Sequence, residues 1–511
     1  MKRLRWLKRK SYFAMIASLI LIFGVLAACS KKTDGDPGVI SWLSFNPPET
    51  NDSPVQKELE ELFDVKFENI RVERNDYRGQ INMKISTGDV PDVIYLDGPG
   101  DVDDLARQGV LTEISIEEIE EFMPEYADSL REMDPNIFEY ALVDGKNYGI
   151  PLMWPTGDLP FLPGYNGDWL KKIGYDEAPK TLEEFEDVLR KFRNNDPDGN
   201  GKKDTYGISG QGANDRSFSA VFAAHGVKAN WMVDNDGKIY HGLTTQGAKE
   251  TLKLLNKWYE EDLIDPEFVT KNPTDAHNDF INQRVGIRDW QSFQFEPRLG
   301  IIAPQFYAAN PDTEIIIGKP LEGPYAKNVA YAYGARNGYI VFGAQLEDHE
   351  EKKEKILEIL NALATDEEAY LLSVYGIEGE HYEMKDGVPM MNAEYSSEAT
   401  KYKIGAGTFY GMFGQKSKLM EKYDHSKETL KFMEERVEGV ENIRTFIGVV
   451  PAQDKYPDMQ KVADEYYINF VTGKLDIDEN WDKFISDWEK AGLKEITKEF
   501  NDKYSETYKI K

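Results

Sequence analysis

Pro91-Asp92-Val93-Ile94-Tyr95-Leu96-Asp97-Gly98-Pro99-Gly100 is the stretch that decides the fold class. An uninterrupted apolar run sits between two aspartates, and a Gly-Pro-Gly turn follows at once. A run that short and that apolar reads as a strand buried on both faces. Working outward, Val39-Ile40-Ser41-Trp42-Leu43 starts an earlier strand, and residues 55–63 are helical in pattern. Residues 67–72 read as another strand and 77–86 as a helix ended by Gly88. Strand and helix in alternation predict an α/β domain with a largely parallel sheet. Ligands of such sheets sit beyond the carboxyl ends of strands, which makes Asp97 a candidate ligand contact.

Further along, residues 181–194 form an amphipathic helix with Leu182, Phe185, Val188, Leu189 and Phe192 on one face. Thr181 is placed to cap it, and Glu184 to complete a capping box. Residues 247–262, 347–365 and much of 457–500 also read as helix. No internal repeat is evident, and nothing after residue 28 is apolar enough to span a membrane.

The front of the chain is different in kind. Lys2, Arg3, Arg5, Lys8, Arg9 and Lys10 precede an uncharged apolar run from Tyr12 to Ala28. That is the layout of an export signal. Its end, Leu26-Ala27-Ala28-Cys29, resembles the lipobox of bacterial lipoproteins, in which the cysteine is diacylated and becomes the new N-terminus. The expected division is a signal peptide at 1–28 and a lipidated Cys29 with a polar tether at 29–37. An uncut N-terminal anchor is the alternative, and both put the rest of the chain outside the cytoplasm, on the extracellular face of the membrane. Cys29 is the only cysteine, so the core alone must hold the fold. The formal charge is −30; residues 1–28 carry six basic and no acidic groups, so the mature chain carries −36. Such a surface repels nucleic acid and anionic lipid, and leans against a polyanionic substrate.

The sharpest local motif is Asp196-Pro197-Asp198-Gly199-Asn200-Gly201-Lys202-Lys203-Asp204. Oxygen-bearing side chains at 196, 198, 200 and 204, with the Lys202 carbonyl between them, give the spacing that wraps a hard cation such as Ca²⁺. The loop looks like the first nine positions of an EF-hand loop but has Gly207 where the bidentate Glu would be. The missing ligand would come from Thr205, from elsewhere or from water. A metal-free loop rich in Asx turns is the alternative.

Asp168-Trp169-Leu170-Lys171-Lys172-Ile173-Gly174, then Pro179-Lys180-Thr181-Leu182-Glu183-Glu184-Phe185, then the 196–208 loop resemble the solute-binding lipoproteins of carbohydrate ABC importers. The nearest pattern is that of Gram-positive oligosaccharide-binding lipoproteins, similar to the alginate-oligosaccharide-binding proteins. Gly145–Pro151, Leu263–Phe268 and Tyr375–Gly379 agree, so the resemblance covers nearly the whole mature chain. It implies a periplasmic-binding-protein-like α/β fold of two lobes, with a hinge and an interlobe ligand cleft. The lobes are expected at 38–158 plus 305–365 and at 159–304 plus 366–511. It also implies a structural Ca²⁺ on Asp196, Asp198, Asn200, Lys202 and Asp204. Many members have an Arg at the place of Asn166. The expected partners are an oligosaccharide and the permease subunits of an importer; the expected state is a monomer.

Sugars are met by flat rings on their C–H faces and by planar polar groups on their hydroxyls. Near strand ends and turns, Trp42, Asp97, Trp154, Trp231, Asp289 and Trp290 are the candidate contacts, with Tyr333, Arg336, Phe409 and Tyr410 weaker. Trp258, Trp481 and Trp488 sit at helical spacing and read as packing. Six scattered histidines, no HExxH, no Walker A loop, and Gly207-Ile208-Ser209-Gly210-Gln211, which fails the GxSxG pattern, leave no enzyme motif. A peptide- or other solute-binding lipoprotein and a secreted glycoside-acting enzyme are the competing readings.

Overall fold

The computed structural model describes residues 38–72, 77–334, 336–385, 387–411 and 418–510. The expected signal peptide, Cys29 and tether lie outside the described residues. Among the described residues, nine strands form the two larger sheets. The first contains β1 (Val39–Phe45), β2 (Lys66–Val72), β3 (Val93–Leu96), β4 (Ile150–Met153) and β9 (Arg336–Phe342). The second contains β5 (Phe161–Asn166), β6 (Tyr206–Ile208), β7 (Val285–Gln291) and β8 (Ile315–Ile317). Each sheet collects its own helices, so the chain has the two-lobed α/β architecture.

The first sheet runs β2-β1-β3-β9-β4. β1 is parallel to β2 and β3, whereas β9 is antiparallel to β3 and β4. It is therefore mixed, where the alternation predicts a largely parallel sheet. β9 enters from the other lobe and not over a helical crossover, so no βαβ handedness fixes its direction. The second sheet runs β8-β5-β7-β6, and only β6 and β7 are parallel.

The expected lobe division needs two corrections. β8 pairs with β5, and the helix Ile302–Ala309 packs Phe306 on Phe280 at 4.9 Å, so residues 302–317 belong to the second sheet. The helices Glu367–Tyr375 and Thr408–Gly411 instead pack on Pro54–Phe63 and β1, so this part of the chain serves the first lobe. Sequence order does not show these exchanges, because the apolar faces of both lobes look alike.

Local signals set most helix ends. Ser53 caps Pro54–Phe63, and Asp64 ends it in the left-handed region. Thr181 caps Leu182–Asn194 as expected, but the Glu184 carboxylate accepts from Lys180 N at 2.7 Å instead of completing the box. The Lys352 ammonium reaches Asp92 at 2.8 Å in a nearly buried pair that fastens the helix Glu350–Thr365 to the start of β3. Ser41 and Gln345 satisfy the same carboxylate.

Three crossings join the lobes and lie side by side. Phe161 N donates to Tyr331 O at 2.7 Å, and Gly334 N to Gly157 O at 3.2 Å. Val329–Ala330 pairs in parallel with Glu441–Asn442. A Cβ on Gly157 would lie 2.5 Å from Gly334 O, so the first two crossings can approach this closely only with glycine there. The registers Arg336↔Met153 and Tyr339↔Leu96 put the ends of β3 and β4 and the start of β9 at the edge facing the crossings. In the second sheet, Phe161↔Gln291 and Ile287↔Ile208 do the same for the start of β5 and the ends of β6 and β7.

Candidate functional site

Strand ends from both sheets therefore converge on the crossings, and the aromatic side chains gather there. Trp154 lies 5.8 Å from Tyr333 at an interplanar angle of 33°, and 5.9 Å from Phe293 at 80°. Phe161 meets Trp290 at 5.4 Å, Tyr331 at 4.8 Å and Tyr333 at 5.3 Å. Trp154 and Tyr333 are half-buried, while Trp290 is only 5% exposed and closes the back of the cradle. The rings come from the first crossing, the second crossing, β5, and β7 with the turn that follows it.

Cations line the same rings. The loop after β6 carries Asp215 and Arg216, and the Arg216 guanidinium lies 4.9 Å from the Tyr333 centroid and 5.9 Å from that of Trp290. Lys228 Nζ sits 3.1 Å from the Tyr331 centroid and 3.1 Å from Asp215 Oδ2. Asn230 donates to the same oxygen at 2.8 Å. Burial pulls the Lys228 ammonium down to about 8, so it stays charged at neutral pH. Burial raises the Asp215 carboxyl, but Lys228 and Asn230 outweigh it and hold it below its ordinary value. Arg288, fully buried, lies 4.4 Å from the Trp290 centroid. It donates to His277 Nδ1 at 3.0 Å, Gln211 Oε1 at 2.8 Å and Asp289 O at 3.1 Å. Its burial pulls it down to about 9, and His277, also buried and beside Arg288, is pulled down to about 3 and stays neutral. Flat rings with a rim of planar donors are the two surfaces a pyranose needs.

The expected contacts divide sharply. Trp154, Trp290 and Tyr333 meet in the cradle. Asp97 is exposed at the crossing-facing end of β3 and accepts from Tyr95 Oη at 3.1 Å. The Arg336 backbone starts β9 opposite Met153, at the same edge. The others are corrections. Trp42 is 2% exposed and packed between Phe67 and Tyr410, each 5.8 Å away, because β1 is an interior strand of its sheet and the helix Thr408–Gly411 covers it. Phe409 and Tyr410 are core for the same reason. Trp231 lies on a hairpin and packs edge-on against His241 at 5.2 Å and Phe500 at 4.8 Å. Asp289 is 1% exposed and accepts from Ala220 N at 2.8 Å, holding the helix Ser219–Ala224 to the sheet. Burial pushes it up to about 6. Asn166, at the family's Arg position, caps the helix Gly167–Lys172 by accepting from Trp169 N at 3.1 Å. Trp258 and Trp488 are buried packing residues, as their spacing predicts.

Phe161, Asp215, Arg216, Lys228, Arg288 and Tyr331 were not among the expected contacts. One signal does point to Asp215 and Arg216: they follow Ser209-Gly210-Gln211-Gly212, a polar glycine-rich stretch directly after a strand.

The 196–204 loop is curled. Asp196 accepts from Asn200 N at 3.1 Å and Gly201 N at 2.9 Å. The Asn200 amide lies 2.6 Å from Asp198 and 3.2 Å from Asp204. Burial and its two acidic neighbours raise the Asp198 carboxyl. The set is all oxygen and crowded with negative charge, which fits a hard cation in kind. Its geometry is closed by hydrogen bonds, and among the described residues no group of three or more His, Cys, Asp or Glu is disposed around one ion position. Thr205 is no ligand: its hydroxyl donates to Phe192 O at 2.8 Å and is buried. Gly207 packs on Leu189, and any Cβ there would lie 2.5 Å from Leu189 Cδ2.

Residues 46–370 match the family of bacterial extracellular solute-binding proteins. The chain belongs to that family. A second match, to a domain of unknown function, covers residues 450–509. Lipoprotein LipO of Bacillus subtilis is 25% identical over 97% of this chain and 98% of its own length. The polygalacturonan/rhamnogalacturonan-binding protein YtcQ of the same organism is 23% identical over 96% and 98%. The fold is that of FusA, an ABC-transporter substrate-binding protein of Streptococcus pneumoniae, solved with kestose, with TM-score 0.64 and 20% identity over 92% of this chain and 98% of that one.

Proposed function

We propose that this solute-binding protein captures an oligosaccharide in the cleft at the crossings and delivers it to an ABC importer. The observation that carries this reading is the cradle in which Trp154 and Tyr333, on segments that join the two lobes, meet Phe293 and Arg216 of the second lobe. A ligand there touches both lobes and favours the closed state, so binding and closure are coupled. YtcQ by its name, and FusA by the kestose bound to it, are saccharide binders, which supports the same class. The protein acts by binding and release without turnover.

The finer parts of the proposal concern anchoring and metal. Cys29, lipidated after removal of residues 1–28, would tether the protein to the outer face of the cell membrane as a monomer. Two acyl chains would hold it stably where one would not. Asp196, Asp198, Asn200, Asp204 and the Lys202 carbonyl would hold a Ca²⁺ that offsets their crowded charge and fixes the loop behind the helix Leu182–Asn194.

The test is calorimetric titration of the protein, calcium present, with a panel of neutral and acidic oligosaccharides. A saturable one-to-one heat with the sugar recovered intact is expected. Hydrolysed sugar would point to an enzyme. Silence to every saccharide, with heat from a peptide panel, would overturn the ligand class.

A further inference from the structure

We propose that the cradle selects saccharides that carry a carboxylate, and that the Arg216 guanidinium receives it. The inference rests on the saccharide-binding reading above and goes on to name the charge of the ligand.

The first observation is that Arg216 has donors to spare. Its side chain is 35% exposed, and the carboxylate of Asp215 comes no nearer than 3.8 Å to its Nε. Among the described residues, no acceptor makes a hydrogen bond with its guanidinium, and Nε is buried without a partner. Asp215 is turned toward Lys228 and Asn230 instead. An arginine held against the Tyr333 face with an open fork presents the planar, two-pronged geometry that a carboxylate matches bidentately.

The second observation is a cluster of cations against the rings. Arg216, Lys228 and Arg288 all face the aromatic rings. Asp215 is taken up by Lys228 and Asn230, and the Asp464 carboxyl lies within electrostatic range of it. Asp289 is buried against the helix Ser219–Ala224. Arg288 has no carboxylate partner: its donors end on an imidazole, an amide and a carbonyl. Lys228 and Asp215 pair with each other, which leaves the Arg216 guanidinium without a hydrogen-bonded carboxylate among the described residues, in a chain whose formal charge is −30. A neutral sugar hydroxyl would satisfy donors but not this charge. A uronate would satisfy both, among rings that exclude water and strengthen the contact.

The overall negative charge does not oppose this at contact range. At physiological ionic strength, exposed charges farther than about 8 Å are largely screened. The surface therefore slows the approach of an anionic ligand without weakening a contact made inside the cradle.

The experiment uses matched pairs: uronate trisaccharides of gluco, galacto and manno configuration, each with a counterpart whose carboxyls are reduced to alcohols. Each is titrated into the wild-type protein, Arg216→Gln and Arg216→Lys, with unfolding midpoints recorded for all three. At least one acidic trisaccharide is expected to bind roughly tenfold or more tighter than its reduced partner, as one charge-assisted contact implies. Arg216→Gln should erase that ratio, weakening the acidic sugar by roughly tenfold more than its reduced partner. Arg216→Lys should retain part of it, which tests charge against fork geometry even if the Gln variant folds poorly. Equal or tighter binding of the reduced partner overturns the inference, as does a ratio that survives Arg216→Gln. Silence to every pair while a neutral oligosaccharide binds also overturns it and leaves the saccharide reading standing. Silence to all saccharides overturns both.

Discussion

The 196–204 loop and the aromatic cradle both gather charge, but by opposite means. The loop closes on itself: Gly199 and Gly201 take left-handed backbone, and the Asp196 and Asn200 side chains accept from amides a few residues on. Its carboxylates face solvent, where salt screens them. The cradle has no local segment. Trp154, Arg216, Trp290 and Tyr333 meet because crossings from both lobes lie side by side, and its charges sit among rings. A self-closing exposed loop can only stiffen what it joins, whereas a cradle on the hinge can report whether a ligand is present. Loop changes should therefore act on stability and cradle changes on binding.

Two tryptophans put the widest gap into that contrast. Trp42→Ala opens a cavity in the first lobe and should cost about 3–5 kcal/mol of stability by denaturant unfolding, with the folded fraction keeping its affinity. Trp154→Ala should do the reverse: about 2–3 kcal/mol of binding, or roughly 30- to 150-fold in Kd, with little change in the unfolding midpoint. If Trp154→Ala unfolds the protein and spares affinity, the cradle is core packing and the comparison fails.

Chelation sharpens the loop side. With calcium at about a hundredfold above its Kd, removing it should lower stability by about 2.7 kcal/mol, and Asp198→Asn should abolish that dependence. Saccharide affinity should stay the same in both cases. A midpoint indifferent to chelator would mean the loop is held by its hydrogen bonds alone.

Acid gives a cradle-side effect on stability. His277 is pulled down to about 3 by burial and by Arg288, from an ordinary value of 6.5. Between those values the unfolded chain binds a proton that the folded chain does not, so stability is full above pH 6.5 and is lost as pH falls toward 3. His277→Gln, which keeps an acceptor for Arg288 Nε, should flatten the fall in unfolding midpoint below pH 6.5. At higher pH the two proteins should differ little. His241, also buried and neutral, supplies a similar loss that this variant leaves in place. The smallest effect expected is Thr205→Ala, about 1 kcal/mol, from losing the buried hydroxyl contact to Phe192 O. Unchanged calcium affinity in that variant would agree with Thr205 lying outside the ligand set.

Much of the first lobe was legible residue by residue. The run at 93–96 is a strand buried throughout, and 77–86 is a helix with the expected ends. These succeed because burial pattern, caps and glycine stops are local. The capping box at Thr181 was only half right, since Lys180 N lay nearer the Glu184 carboxylate. The candidate site was read with less success. Trp154 and Trp290 were flagged by their nearness to strand ends and turns and Tyr333 only as a weaker choice, but Trp42 and Trp231 were flagged too, and nothing in sequence separates a ring on a strand end from one under a covering helix. Arg288 inside a strand of unbroken burial reads as an anomaly until His277 and Gln211 are seen to satisfy it.

By itself, then, the sequence determined the α/β class, the basic-apolar-cysteine start, the curled acidic loop and the family resemblance, because each is written in consecutive residues or in their order. The tertiary structure alone decided that β8 and the helix Glu367–Tyr375 exchange lobes, that β9 runs antiparallel, and that the Arg216 guanidinium lies against Tyr333 of a crossing and Trp290 of β7. Those outcomes depend on which apolar faces meet. Hydrophobic burial drives such faces together without specifying partners by sequence distance, so the partner choice appears only once the chain is folded.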